Sequence, residues 1–124
     1  YAKELTFFVN FVGFTPLQVI RCATKTGAEI MGRGDEFGTV EVGKLADLVV
    51  IDENPLQNLQ VLYGVGAIKL SADNKAARVG GVKYSIKDGI IYDAKKLLAD
   101  VKKMVDAEKA KTGWKLVQPG MTQD

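Results

Sequence analysis

The period of the hydrophobic pattern changes twice along this 124-residue chain, and that limits the folds open to it. Up to Gly32 the apolar positions fit helices. From Gly38 to Tyr92 they run as short alternating or continuous stretches of β type, and from Asp93 onward helical spacing returns. The order helix, short strands, helix predicts an α+β fold with boundaries near Arg33 and Asp93.

Turn and cap chemistry fixes the elements locally. Thr15 is a good N-cap and Pro16 suits the first helical position, so a helix begins there. Leu17, Ile20, Thr24, Ala28 and Met31 predict its inner stripe, and Gly32 and Gly34 end it. Residues 3 to 12 are apolar on nearly every side if helical and need cover on more than one face; pattern alone leaves a short strand open. Val40 and Val42 alternate with polar neighbours before a turn at Gly43-Lys44, as a short strand would. Leu48-Val49-Val50-Ile51 predicts a strand buried on both faces, ended by Asp52-Glu53-Asn54-Pro55. Residues 65 to 70 form a weaker strand pattern, followed by a turn at Asp73-Asn74.

Val82, Tyr84 and Ile86 alternate before Asp88-Gly89, and Ile90-Ile91-Tyr92 follows. Two β-rich runs around Asp-Gly predict a hairpin closed by a type I′ turn. Asp93 then caps a helix over residues 94 to 111, with Leu97, Val101 and Met104 beside Leu98 and Val105 as its apolar stripe. Lys95, Lys102 and Lys109, seven apart, are placed on the far side as a solvated face, and Lys96–Asp100 and Lys102–Asp106 add weak support along the helix. Trp114 is expected to tack the tail onto the body.

Composition narrows the chemistry. A hydrophobic share of 47% is enough for one modest core, and a net charge of +2 is too small to indicate nucleic acid or an acidic membrane as partner. The chain has no histidine, the commonest metal ligand and neutral-pH base. Its one cysteine, Cys22, reads as a small buried side chain, because a nucleophilic thiol needs a base beside it. A single cysteine forms no internal disulfide, which leans toward a reducing, cytoplasmic compartment. No apolar run reaches the length of a membrane span. Tyr1-Ala-Lys-Glu resembles neither an initiator nor a signal region, so the chain reads as part of a longer protein.

Three blocks then stand in a telling order. Gly38-Thr39-Val40, Gly43-Lys44 and Ala46-Asp47-Leu48 resemble the C-terminal signature of the metal-dependent amidohydrolase superfamily, which includes urease-like, dihydroorotase-like, imidazolonepropionase-like and prolidase-like hydrolases. Residues 13 to 32 resemble the last barrel helix of that family, and residues 82 to 93 its final hairpin. The resemblance implies a (β/α)8 barrel flanked by a β-sandwich built from both chain ends. Residues 1–33 would be the last barrel helix and its lead-in, residues 34–93 the C-terminal part of the sandwich, and residues 94–124 a terminal amphipathic helix and tail. Residues 62 to 81 depart from the short family pattern and are expected to add a strand pair extending the sandwich.

The resemblance also implies one or two divalent ions, usually zinc, held by barrel histidines, often a bridging lysine and a last-strand aspartate. No position here matches those ligands, so no catalytic, cofactor-binding or metal residue is assigned. Asp35, Asp47 and Asp52 in particular are not nominated, and Asp47 is expected to order its own turn. The functional expectation is a structural C-terminal segment of an enzyme that hydrolyses amide or other C–N bonds, inactive by itself. Its expected partners are the missing N-terminal barrel portion and further copies of itself, with no nucleic acid and no membrane. The competing readings are a stand-alone β-rich binding module and a lysine-faced helix docking on an acidic surface.

Overall fold

Thr15 and Gln18 start the central helix. Thr15 is extended at φ −75°, ψ 154°, its hydroxyl accepts from the Gln18 N–H, and Gln18 Oε1 accepts from the Thr15 N–H at 2.8 Å. This reciprocal box satisfies two amide groups that would otherwise lack partners. In the structure, a computed structural model that describes residues 2–113, α2 (Pro16–Arg21) passes through a π-helical turn (Cys22–Thr26) into α3 (Gly27–Ile30). Before it, α1 (Ala2–Phe7) runs into a second π-helical turn (Phe8–Val12), so the apolar run near the start is helical. The expected docking of Trp114 lies outside the described residues.

The core is small. Leu5 of α1, Val19 of α2 and Leu59 of a 3₁₀ turn (Leu59–Leu62) form one buried cluster, with Val9, Ile20, Ala23 and Leu62 packed against it. The inner stripe predicted for α2 and α3 needs correction: Val19 and Ala28 are buried, whereas Leu17 and Met31 are exposed. Val19 is covered by α1 and the 3₁₀ turn and Ala28 by the loop at Gly38, whereas Leu17 and Met31 lie off both contacts.

β1 (Leu48–Ile51), β4 (Val82–Lys87) and β5 (Ile90–Asp93) form an antiparallel sheet in the order β1-β4-β5. Leu48 pairs with Ile86 and Val50 with Tyr84, and the register slips between Val50 and Ile51. Asp88 and Gly89 have φ of 50° and 79°, the two positive values that a type I′ turn requires. β2 (Ala67–Leu70) and β3 (Ala76–Val79) pair as the extra hairpin, with Asn74 at φ 57° in the turn. They form a separate two-stranded sheet instead of extending the first. The Gly80-Gly81 link bends the chain between β3 and β4, and the Gly81 N–H bonds to Val61 O instead of a neighbouring strand.

Two further expectations fail for want of neighbours. Residues 38–43 are irregular, and Val42 is fully exposed, because among the described residues no strand lies alongside to complete a ladder. β1 is a strand but is not buried on both faces, since Val49 stays 58% exposed. α4 (Ala94–Thr112) begins where expected, with the Asp93 carboxylate accepting from the Lys96 N–H at 2.9 Å. Its stripe is exposed. Lys95, Lys102 and Lys109 follow Ala94, Val101 and Glu108 by one residue, so they run about 100° from the stripe's centre, along its edge and not on the far side. Among the described residues no helix is long and apolar enough to cross a membrane.

Candidate functional site

Gly38, Thr39, Lys44, Ala46 and Asp47 stand within ten residues of one another in sequence, and the fold ties them to two distant elements. Gly38 sits against the central helix. A Cβ there would lie 2.6 Å from Ala28 Cβ and 3.1 Å from Thr24 O, and φ is +100°, so no side chain fits. Lys44 is mostly buried, and its Nζ donates to Gly34 O at 2.8 Å and to Thr39 Oγ1 at 2.6 Å. Glu41 approaches the same ammonium at 3.5 Å; a hydrogen bond with Thr39 and the Lys44 charge hold its carboxyl below the usual glutamate range. Upstream, the Arg33 guanidinium grips Glu36 through two bonds of 3.0 and 2.6 Å and lies over the Phe37 ring. The Leu45 N–H closes the loop on Glu36 O at 2.8 Å.

Asp47 faces the other way. Its Oδ1 accepts from the Asp88 N–H at 2.9 Å and its Oδ2 from Lys87 Nζ at 2.8 Å. The next turn amide, Gly89 N–H, reaches Ala46 O at 3.3 Å. Ala46 and Asp47 thus accept from both central amides of the β4–β5 turn. The Asp88 amide and the Lys87 ammonium pull the Asp47 carboxyl below the ordinary aspartate range, and the same contact raises the Lys87 ammonium. The expectation that Asp47 orders its own turn is therefore corrected: it orders a turn 41 residues away. An acidic residue just before a buried-type strand, with an Asp-Gly hairpin later, is the only trace of this bond in the sequence.

The structure assembles no reaction centre from these groups. Asp35 is exposed, Asp47 is occupied as described, and Asp52 pairs with Lys83 at 3.3 Å and Lys95 at 3.9 Å. Among the described residues no cluster of three or more His, Cys, Asp or Glu side chains could hold a metal ion, and the chain has no histidine to add. The donor set does not fit the divalent ion that the family resemblance implies.

A cleft of about 300 Å³ opens between α1 and α2, walled mainly by Leu5, Phe8, Phe14 and Val19, with Glu4 and Cys22 also lining it. Cys22 is exposed there, which corrects its reading as a buried side chain. Its side chain opens into the cleft instead of joining the buried cluster of Leu5, Val19 and Leu59. No histidine can serve it as a base.

These contacts put the Gly-Thr, Gly-Lys and Ala-Asp-Leu blocks to a common structural use. The family model described as "Amidohydrolase family" matches residues 2–107, and the chain belongs to that family of hydrolases, whose chemistry is generally metal-dependent. Among curated proteins it is similar to an imidazolonepropionase of Shouchella clausii, 34% identical over 53% of this chain and 16% of that protein. It is similar also to an ochratoxinase of Aspergillus niger, 34% identical over 54% of this chain and 14% of the relative. A 5'-deoxyadenosine deaminase of Methanobrevibacter smithii is 41% identical over 37% of this chain and 11% of its own length. The matches therefore span less than a fifth of these relatives. No solved structure gives a significant match.

Proposed function

We propose that this chain is the structural C-terminal segment of a metal-dependent amidohydrolase that cleaves amide or related C–N bonds with metal-activated water. The observation that carries the reading is the use of Asp47: the carboxylate of the family signature is spent on locking a hairpin. The carboxylates of Glu36 and Asp52 are likewise tied to cations of this chain. In the complete enzyme the divalent ion, zinc by family habit, belongs to an N-terminal (β/α)8 barrel, with α2 and α3 as its last helix and β1, β4 and β5 as part of the flanking sandwich. The small share of each relative that the chain matches supports this division, and a deaminase among those relatives supports C–N bond chemistry.

The purified chain tests the proposal directly. It is assayed with added zinc for release of ammonia or amine from amide and imidazolone substrates, and zinc binding is followed by calorimetry. Neither turnover nor a tight zinc site is expected. Turnover by this chain alone, or a single site of sub-micromolar affinity, overturns the proposal.

A further inference from the structure

The chain contains one Asp-Gly pair, Asp88-Gly89, and no Asn-Gly pair. The amide nitrogen that follows an aspartate can attack that aspartate's own carboxyl, and a glycine in the next position obstructs the attack least. Every other aspartate with a successor precedes a residue whose side chain crowds that nitrogen. Asp88 and Gly89 form the tip of the β4–β5 turn, where both are exposed and a Cβ on Gly89 would meet nothing within 4 Å. Contacts from the signature loop restrain the pair. The Gly89 N–H, whose nitrogen is the attacking atom, donates to Ala46 O at 3.3 Å, and the Asp88 N–H donates to Asp47 Oδ1 at 2.9 Å. Lys87 Nζ, itself bound to Asp47 Oδ2, holds Asp88 Oδ1 at 3.1 Å.

We propose that Asp88 is a site of spontaneous conversion to isoaspartate, and that the clamp made by Ala46 and Asp47 sets the rate. The Gly89 nitrogen bonds to Asp88 Cγ and gives up its proton, the carboxyl gives up its hydroxyl, and one water leaves as a succinimide ring closes. A second water opens the ring. Addition at Cγ breaks the new bond and restores aspartate. Addition at the main-chain carbonyl breaks the original peptide bond, so the chain runs on through Cβ and Cγ and the freed main-chain carboxylate becomes the side group. The product carries one extra methylene in the backbone between Lys87 and Ile90, which pair across the turn. A type I′ turn closes over two residues of ordinary length, so the lengthened turn no longer brings both amides to Ala46 O and Asp47 Oδ1. Conversion therefore undoes the clamp that restrains it, and for the fold the step runs one way.

The test ages the whole chain for weeks at neutral pH, beside the Asp47→Ala variant and the parent chain unfolded in guanidinium. Samples are digested at intervals, and isoaspartate is located by electron-transfer fragmentation, which separates it from aspartate of equal mass. In the folded parent isoaspartate is expected at Asp88 ahead of every other aspartate, and more slowly than in the unfolded chain. Reaction through a locally opened turn makes the rate follow the open fraction. Asp47→Ala should therefore raise the rate at Asp88 on the order of tenfold, as loss of a charge-assisted clamp implies. Should that variant fail to fold by circular dichroism, Asp47→Asn keeps an acceptor for the Asp88 N–H and loses the charge that draws Lys87, and its rate should fall between those of the parent and the unfolded chain. Isoaspartate spread evenly over the aspartates, none at Asp88, or a rate there in the folded parent equal to or above that of the clamp variants and the unfolded chain overturns the proposal.

Discussion

Asp47 accepts hydrogen bonds from an amide and an ammonium, so the ionised carboxylate is the form the fold favours. Its folded pKa therefore lies below the unfolded value of about 3.9. The stabilisation is present above that unfolded value and is lost as pH falls through the lower, folded one. Lys87, shifted upward, keeps its share below about 10.4 and loses it as pH rises through its own folded value. Asp47→Asn should lower the thermal midpoint at neutral pH and flatten its decline between about pH 5 and pH 2, with residual slope left by Glu36, Glu41 and Asp73, whose carboxyls are also held low. Superimposable melting curves for variant and parent across that range would refute the lock. Gly89→Val puts a β-branched side chain at φ 79° and should cost about 1–2 kcal/mol by denaturant titration. Gly38→Ala combines a positive φ with a Cβ in contact with Ala28, so its loss should be at least as large, about 2 kcal/mol or more. An unchanged midpoint in either variant would contradict the backbone geometry described.

At the scale of elements, α4 depends on its ends more than on its sides, since none of its residues is buried. Asp93→Ala removes the acceptor for the Lys96 N–H and should cost about 1 kcal/mol of helix stability, visible as reduced far-ultraviolet ellipticity before the sheet melts. If ellipticity and sheet melt together, the helix is held by its flank and not by its cap. Elements governed by nearest neighbours were legible in the sequence: the Thr15-Pro16 start, the Asp88-Gly89 turn and the Asp93 cap all stand where their own chemistry puts them. The Gln18 partner of Thr15 was missed in the sequence, although it lies three residues on, where a capping box places its partner. What was not legible depends on distant neighbours. Val40 and Val42 alternate like a strand yet have no strand beside them among the described residues, and Val49 stays more than half exposed. Cys22 is small and apolar enough for a core, but it lies on the flank of its helix that opens into the cleft. The partners of Lys44 and Asp47 arise from loop geometry that no local pattern encodes.

For the molecule as a whole, the buried cluster centres on Leu5, Val19 and Leu59, while Phe11, Ile30 and Met31 remain over 60% exposed. Burial of one such side chain contributes roughly 1.5–3 kcal/mol, so covering several rivals the stability of a small domain. The chain alone should therefore self-associate, and light scattering at low micromolar concentration should report a mass above that of one copy. A compact monomer with Phe7, Phe8 and Phe11 shielded from solvent would instead favour a stand-alone module. The lock between Asp47 and the hairpin also imposes a timetable on biosynthesis. At about 5–20 residues per second, the ribosome adds the 41 residues separating Asp47 from the Asp88 amide in about 2–8 seconds. Throughout that interval the nascent signature loop can rest against the helix through Gly38 and close on itself through Lys44, but the Asp47 carboxylate lacks its hairpin donors. A transcript that stops short of Lys87 yields a polypeptide with every residue of the signature and neither of the donors that fasten Asp47.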